Sequence, residues 1–576
     1  MKKILVYMKG YGKECLLGPL FKLLEASFEL LIPLVVAQIV DVGIGAGDRS
    51  YITKMCLVMV LLGLVGLASA VTAQFFAAKA AVGFAARLRE ALMGKLLRLR
   101  CDQIDRLGTS TMITRMTSDV NQIQNGVNLT LRLLLRSPFV VFGAMIMAFT
   151  IDRDAALIFA GAIGVLCVIV FGIMLITMPM HKKVQSSLDG VTASVRENLE
   201  GVRVLRAFCK EEEETASFAD KTLALQKNQL STGRISSLMN PITLVIVNLA
   251  VILLLHGGAI KVQGGILTQG LVVALYNYMA QILVELIKMA NLIITITKAA
   301  ACGNRVQSVL ELDTEETPRT EAPDVSTGSI EFRNVSMRYS DSGDAALEQI
   351  SFRAEAGQTV GVIGGTGAGK SSLINLISGL YTASDGEVLL DGKNITAWDG
   401  VALRRQIGTV PQKAVLFRGT LRENLCWGKD GASDDELWEA LRAAQAEEVV
   451  REKPEGLDAT VEQGGRNFSG GQRQRLTIAR ALVRRPGVLI LDDSASALDY
   501  ATDARLRQAI RRLEHRPTTF IVSQRAASVR HADLILVLDD GRLVGKGTHG
   551  QLLEQCEVYQ EIYYSQFQKE GAADEA

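Results

Sequence analysis

Apolar residues gather into six long stretches, near 17–43, 55–78, 133–151, 155–180, 240–260 and 268–297. Most reach the roughly 20 residues that an α-helix needs to cross a bilayer. The third and fourth are parted only by Asp152-Arg153-Asp154, which predicts a tight hairpin. The connections near 44–54 and 261–267 are also short. The segments 79–132 and 181–239 are different: long, rich in Lys and Arg, and still helical in pattern. Basic connections stay on the cytoplasmic side, which puts both long segments and both termini there. About sixty residues folded as two antiparallel helices project roughly 45 Å, far enough to reach a soluble domain below the membrane. Met1-Lys2-Lys3 is basic, but the apolar region behind it is long and charged, so no cleavable signal peptide is expected.

The pattern changes after residue 310. Asp313–Thr327 is polar, with two Pro and five acidic residues, and reads as a linker. The expected layout is a membrane domain over 1–312, the linker over 313–327, a soluble α/β domain over 328–565 and a small acidic tail over 566–576. Hydrophobic residues make up 48% of the 576, high for a soluble enzyme, and they concentrate before residue 310. A net charge of +1 gives no bulk attraction to nucleic acid.

Candidate chemistry sits in the soluble half. Thr359-Val360-Gly361-Val362-Ile363 reads as a buried strand, and a helical pattern begins at Ser371. Between them lie Gly364, Gly365, Thr366, Gly367, Ala368, Gly369 and Lys370. Strand, Gly-rich loop and helix, with Lys-Ser at the join, is the context of a phosphate-binding loop. Glycines let backbone N–H groups wrap phosphates, and the helix N-terminus adds free donors. Lys370 is expected to reach the outer phosphates, Ser371 to ligate Mg²⁺, and Ser372 to complete the phosphate set. The apolar run Val488–Leu491 ends in Asp492 and Asp493. A carboxylate at the C-terminal end of a parallel strand stands where ligands bind in open α/β sheets, which makes Asp492 a candidate Mg²⁺ partner.

With Ser469-Gly470-Gly471-Gln472 placed between these two motifs, the soluble half resembles the nucleotide-binding domain of ABC transporters. Ser469, Gly470, Gly471 and Gln472 match the family signature, with Phe468 where Leu is commoner. Gln412 matches the Q-loop, Tyr339 the aromatic that stacks on adenine, Ser496–Asp499 the D-loop, and Thr460–Gly465 the X-loop. The six spans with long internal extensions resemble exporter-type members, and Asp105–Arg115 and Glu197–Phe208 look like the stretches leading into the two coupling helices. The resemblance implies ATP and Mg²⁺ as cofactors, with Ser371, Gln412 and Asp492 around the metal. It implies a signature that acts in trans on ATP held by a partner chain, and a plasma-membrane location in a bacterium.

Two positions depart from the family pattern. Asp493 stands where Glu is usual, and Gln524 where the switch His is usual. Shortening the carboxylate by one methylene costs about 10²-fold in a reaction that depends on positioning. Gln524 donates a hydrogen bond but carries no positive charge. In the resemblance this pair marks the degenerate-site half of a heterodimeric, multidrug-type exporter, whose partner half-transporter keeps the catalytic Glu and the switch His. The expected cargo is a hydrophobic or amphiphilic compound met within the lipid. A slow homodimer, a nucleotide-gated regulatory subunit and an importer on the exporter fold remain alternatives.

The eight Cys show no Cys-x-x-Cys, and the five His are scattered, so neither a metal site nor a disulfide framework is expected. Glu25, Glu29, Asp41, Glu285 and Lys288 lie in or near spans. Intramembrane charge tends to mark function, so Glu29 or Glu285 is a candidate contact for a cationic substrate. The competing reading is an ordinary Glu285–Lys288 pair at i,i+3.

Overall fold

The computed structural model describes residues 3–314, 326–339, 343–494 and 497–567. Most of the expected linker, the end of the tail and Ser496 lie outside them. The chain forms two compact units, Met1–Leu97 with Gly108–Leu312, and Arg98–Leu107 with Asp313–Ala576.

The first unit is helical. Among the described residues, six helices are long and apolar enough to cross a membrane: Gly12–Ile44, Arg49–Leu96, Thr109–Ile151, Arg153–Glu200, Glu211–Gln263 and Gln269–Leu310. They outrun the apolar stretches because the polar extensions continue the same helices. The fourth, 48 residues long, runs unbroken past Pro179 and spans about 72 Å at 1.5 Å per residue. Its polar end packs against the start of the fifth. Lys221 donates to Ser194 Oγ (3.1 Å) and Asn228 to Ser187 Oγ (2.9 Å). Positions rise along one helix as they fall along the other, so the two run antiparallel as the sequence predicts. The hairpin after the third span is tight: Asp152 caps the fourth helix by accepting from the N–H of Ala155 (3.0 Å), and Lys261 bridges Asp152 and Asp154.

An ionic cluster joins the first, third and sixth spans. The Arg136 guanidinium donates to Glu29 Oε2 (2.5 Å) and to Glu285 Oε1; Ser137 Oγ donates to Glu285 Oε2 (2.8 Å), and Lys288 to Glu285 Oε1 (2.9 Å). The side chains of Arg136 and Glu285 are only 5% and 4% exposed. All three helices reach this level about 22–24 Å from their hairpin ends, inside a hydrocarbon layer of roughly 30 Å. The i,i+3 pair is therefore present, but the principal partner of Glu285 is Arg136, which the sequence reading did not single out. Glu285 is committed inside the unit, while the side chain of Glu29 stays 42% exposed.

The second unit carries the α/β fold. Its main sheet orders the strands Arg542–Gly547, Leu534–Asp539, Thr359–Gly364, Thr518–Val522, Val488–Asp492 and Ile407–Val410. All neighbours are parallel except the first pair. The strands Thr359–Gly364 and Thr518–Val522 are buried at every position, which explains their continuous apolar reading. A four-stranded antiparallel sheet is built on Ile330–Met337. It is entered through a carboxylate clamp: Asp391 accepts from the N–H groups of Thr327 and Ser329 (both 2.9 Å) and from Ser326 Oγ (2.6 Å) and Thr327 Oγ1 (2.5 Å). Burial pushes the Asp391 pKa up, but the Ser326 and Thr327 hydroxyls and the N–H groups pull it down further, to a net value below the ordinary one.

Two predictions follow from these anchors. Arg136→Leu leaves Glu285 buried without its guanidinium and costs about 3 kcal/mol, seen as a lower thermal unfolding midpoint of the purified chain. Arg136→Leu with Glu285→Gln should recover most of it, and equal losses in the single and double variants would refute the pairing. Asp391→Asn should lower hydrogen-exchange protection in strand Ile330–Met337 about tenfold or more at neutral pH. Because the folded pKa is depressed, this stabilisation is full above the unfolded carboxylate value of about 3.9. It is lost as pH falls through the folded value, so the gap between variant and parent should close there.

Candidate functional site

Two neighbouring strands, Val488–Asp492 and Thr518–Val522, end at one level, and Thr359–Gly364 runs two residues past it. Val522 lies opposite Val362 on one side and Asp492 on the other. Beyond them the chain enters the loop before Lys370, the Asp493 turn and the Ser523-Gln524 turn. These segments enclose a cavity of about 340 Å³. Its walls include Thr366–Ser372, Gln412, Asp492, Asp493 and Gln524, with Tyr339 at one side. The structure thus brings together the phosphate loop, the Q-loop glutamine, both carboxylates, the switch position and the aromatic.

The loop needs its glycines for packing. Gly369 has φ +91°, and a Cβ there would sit 2.6 Å from the carbonyl oxygen of Ala346. At Gly364 a Cβ would run into the carbonyl oxygen of Leu538. The helix Lys370–Ile377 begins directly after Gly369, one residue earlier than the sequence pattern suggests. Lys370 Nζ donates to the carbonyls of Gly364 (2.9 Å) and Gly365. Burial pushes its pKa down, with the carboxylates of Asp493 and Asp492 opposing. Burial also pushes the Asp492 carboxyl up, helped by Asp493 and opposed by Lys370. A half-buried ammonium held by neutral carbonyls suits an incoming phosphate, and a carboxylate sharing the cavity wall with Ser371 and Gln412 suits a hard divalent cation. The residues present therefore fit ATP and Mg²⁺.

Asp493 adopts φ +43°. Its N–H donates to the carbonyl of Val522 (2.9 Å), which ties the turn to the sheet. Gln524 is held through its backbone, its carbonyl accepting from Gln566 Nε2 (2.7 Å). The Tyr339 hydroxyl lies 2.9 Å from Ser372 Oγ, and its ring meets Tyr381 edge-on.

The signature residues line a different surface. Ser469 caps the helix Gly470–Val483: the N–H of Gln472 donates to Ser469 Oγ (3.3 Å), and the N–H of Ser469 donates to Gln472 Oε1 (2.9 Å). This structural duty of Ser469 and Gln472 was missed in the sequence, although Ser-x-x-Gln is itself a capping-box pattern. An added Cβ at Gly470 meets nothing within 4 Å, whereas one at Gly471 would lie 3.0 Å from the carbonyl oxygen of Ala497. Phe468 packs in the core. No group of three or more His, Cys, Asp or Glu side chains placed to hold a metal occurs among the described residues, and none of the eight cysteines forms a disulfide.

Residues 15–286 match the family description "ABC transporter transmembrane region", and residues 347–496 match "ABC transporter". An ABC transporter ATP-binding protein of Bacillus subtilis is 35% identical over 572 residues, covering 99% of this chain and 100% of the relative. The chain belongs to the ABC transporter family. Another ATP-binding member, from Mycobacterium tuberculosis, is 35% identical over 571 residues, 97% of both chains. An ATP-dependent lipid A-core flippase of Syntrophus aciditrophicus is 31% identical over 472 residues, 81% of this chain and 78% of the flippase. In fold, the transporter is similar to a bacterial Atm1-family ABC exporter with ATP bound, with a TM-score of 0.81 at 24% identity over 98% of this chain and 99% of that one. The transporter is a multi-pass membrane protein with a cytoplasmic nucleotide-binding domain, and it has the ATPase architecture of its family.

One prediction rests on the cavity alone. Lys370→Ala should lower ATP affinity of the full chain by about tenfold or more, the value of a charge-assisted contact. Tyr339→Ala should weaken ATP but leave inorganic tripolyphosphate binding nearly unchanged. Calorimetric titration reads both, and parallel losses for the two ligands in Tyr339→Ala would remove Tyr339 from the base-binding role.

Proposed function

We propose that this chain is one half of a heterodimeric ABC exporter that moves hydrophobic or amphiphilic compounds across a bacterial plasma membrane, and that its own ATP site is hydrolytically impaired. The observation that carries this reading is the wall of the nucleotide cavity. Lys370, Ser371, Gln412 and Asp492 converge there, while the positions for a general base and a switch are filled by Asp493 and Gln524. Binding groups are complete, and the groups that act during hydrolysis are altered. Supporting it is the likeness to a flippase and to exporters in sequence or fold.

On this reading Tyr339 stacks on adenine and the loop Gly364–Gly369 with Lys370 and Ser372 holds the phosphates. Bound Mg²⁺ would offset phosphate charge, with the Ser371 hydroxyl, Gln412 and Asp492 as its holders. Asp493 keeps a negative charge near the γ-phosphate position but falls short of orienting water. Ser469, Gly470, Gly471 and Gln472 complete the partner's site, where the working Glu and His reside. Retaining ground-state binding while losing transition-state stabilisation lowers turnover without lowering occupancy.

The test is assembly-dependent turnover. Purified alone, the chain should bind ATP yet hydrolyse it slowly; with its partner half-transporter, hydrolysis should rise and drive uptake of an amphiphile into inside-out vesicles. Ordinary exporter-level ATPase from the chain alone would overturn the reading. Within the assembled pair, Gly471→Asp should abolish ATPase activity while Asp493→Asn changes it little. Because a side chain at 471 also presses on Ala497, the Gly471→Asp chain must first be shown to bind ATP and unfold at the parent temperature. Comparable losses from the two substitutions would contradict the assigned division of labour.

A further inference from the structure

A second and larger cavity lies in the nucleotide-binding unit and shares no residue with the first. Its volume is about 760 Å³. The helix Tyr500–Arg511 contributes Arg505, Arg507 and Arg511 to its wall; the segment after strand Thr518–Val522 contributes Arg525, Arg530 and His531. Five guanidiniums on one cavity repel one another unless something negative lies among them.

The fold supplies little of that. Among the described residues, only Arg507 has a carboxylate within ion-pair distance, Asp503 at 3.0 Å. Asp503 is itself buried, which pushes its carboxyl pKa up against the pull of Arg507 and Arg525. The other arginines rest on neutral groups. Arg511 donates to the carbonyl of His531, Arg505 makes a long contact to the carbonyl of Ala501 (3.4 Å), and Arg525 stacks over the Tyr500 ring at 5.4 Å. Arg530 Nε donates to His531 Nε2 (3.0 Å), so that nitrogen is the acceptor and the imidazole is neutral. Burial lowers the His531 pKa, and Arg530, Arg507 and Arg511 lower it further.

We propose that this cavity is a second anion site, distinct from the ATP site, that takes a small polyphosphate-bearing ligand of at most nucleotide size. Several planar forks around one space suit phosphate oxygens, which guanidiniums hold through paired charge-assisted bonds. The volume falls within the range of small-ligand pockets, and the Tyr500 and Phe567 rings on its wall offer flat apolar faces. The site also has a route to the hydrolytic machinery: Arg525 follows Gln524 in the chain, and Tyr500 follows Asp499. An anion drawing in Arg525 acts one residue from the switch position.

The experiment is calorimetric titration of inorganic tripolyphosphate into the full-length chain carrying Lys370→Ala, which weakens the phosphate loop. Saturable binding of one tripolyphosphate per chain is expected. Adding Arg505→Gln and Arg525→Gln should weaken it about tenfold or more. Arg505→Lys with Arg525→Lys should bind between the two, because charge remains but the fork is lost. The Lys pair therefore keeps the proposal testable if the Gln pair fails to fold. Phosphatidylglycerol vesicles, whose phosphodiesters sit on a broad surface, should not compete. The proposal is overturned by absence of saturable binding in the Lys370→Ala chain, by binding insensitive to both arginine pairs, or by vesicle competition equal to that of tripolyphosphate. It is also overturned if binding emerges only after Glu570→Gln, Asp574→Asn and Glu575→Gln, since the occupant is then the chain's own acidic end.

Discussion

The nucleotide cavity depends on the hydrogen-bonded register of three parallel strands. Val522 and Asp492 pair as the last residues of their strands, and Val522 also pairs with Val362, two residues before Gly364 ends its strand. The loop before Lys370, the Asp493 turn and the Gln524 turn then face one space without any long side chain having to reach for it. Thr359–Gly364 and Thr518–Val522 are buried along their whole length, so a slipped register would misplace an entire packed layer. Chemistry at this site is thus set by where strands end. Gly364 and Gly369 matter because backbone carbonyls of other segments occupy the positions that side chains would need.

The membrane unit is organised by a different constraint. Lipid tails are as apolar as the helix surfaces, so apolar burial alone does not choose one helix pairing over another. A few polar contacts do. The first and sixth spans are joined by three polar contacts. Asp41 accepts from the N–H of Gly270 (2.7 Å), the Tyr278 hydroxyl donates to the carbonyl of Leu30 (2.6 Å), and Arg136 connects Glu29 with Glu285. The third span enters only through Arg136 and Ser137 in this set. The cluster therefore fixes rotation and height of three helices at once, which packing of small side chains would leave loose. It also engages the Glu285 carboxylate with Arg136, Ser137 and Lys288, while the Glu29 side chain stays half exposed.

How much of this was legible in the sequence follows from how local each feature is. The phosphate loop, the apolar strands and the six spans were readable because each is carried by a short contiguous pattern. The helical extensions were readable too, but not their continuity with the spans, since hydropathy falls off at segments such as 181–200 although the same helix runs on. Arg136 lies inside the apolar stretch 133–151 but was passed over, because its partners stand 107 and 149 residues away. The double duty of Ser469 and Gln472 was available in Ser-x-x-Gln but was masked by the stronger signature match. The arginine-lined cavity was illegible, because its residues come from a helix and a separate loop that only the sheet brings face to face.

Asp493 combines a backbone and a side-chain constraint, and together they bear on what an altered carboxylate does. At φ +43° it occupies the left-handed region, which Asp enters more readily than most residues. Its N–H is fixed to the carbonyl of Val522, so the turn cannot advance into the cavity to make up for a missing methylene without giving up a sheet-anchored bond. The charge, in contrast, is not lost. It acts on Asp492, whose pKa it helps raise, and on Lys370, where it opposes the effect of burial. Electrostatic influence falls off slowly with distance, whereas general-base geometry tolerates only tenths of an ångström. On the proposed reading, a shortened, backbone-pinned carboxylate keeps the field that opposes the effect of burial on Lys370 while losing the reach that orients water. In the proposed assembly this separates occupancy from turnover at one site by a single methylene, and leaves the working chemistry to the site completed by Ser469–Gln472 in trans.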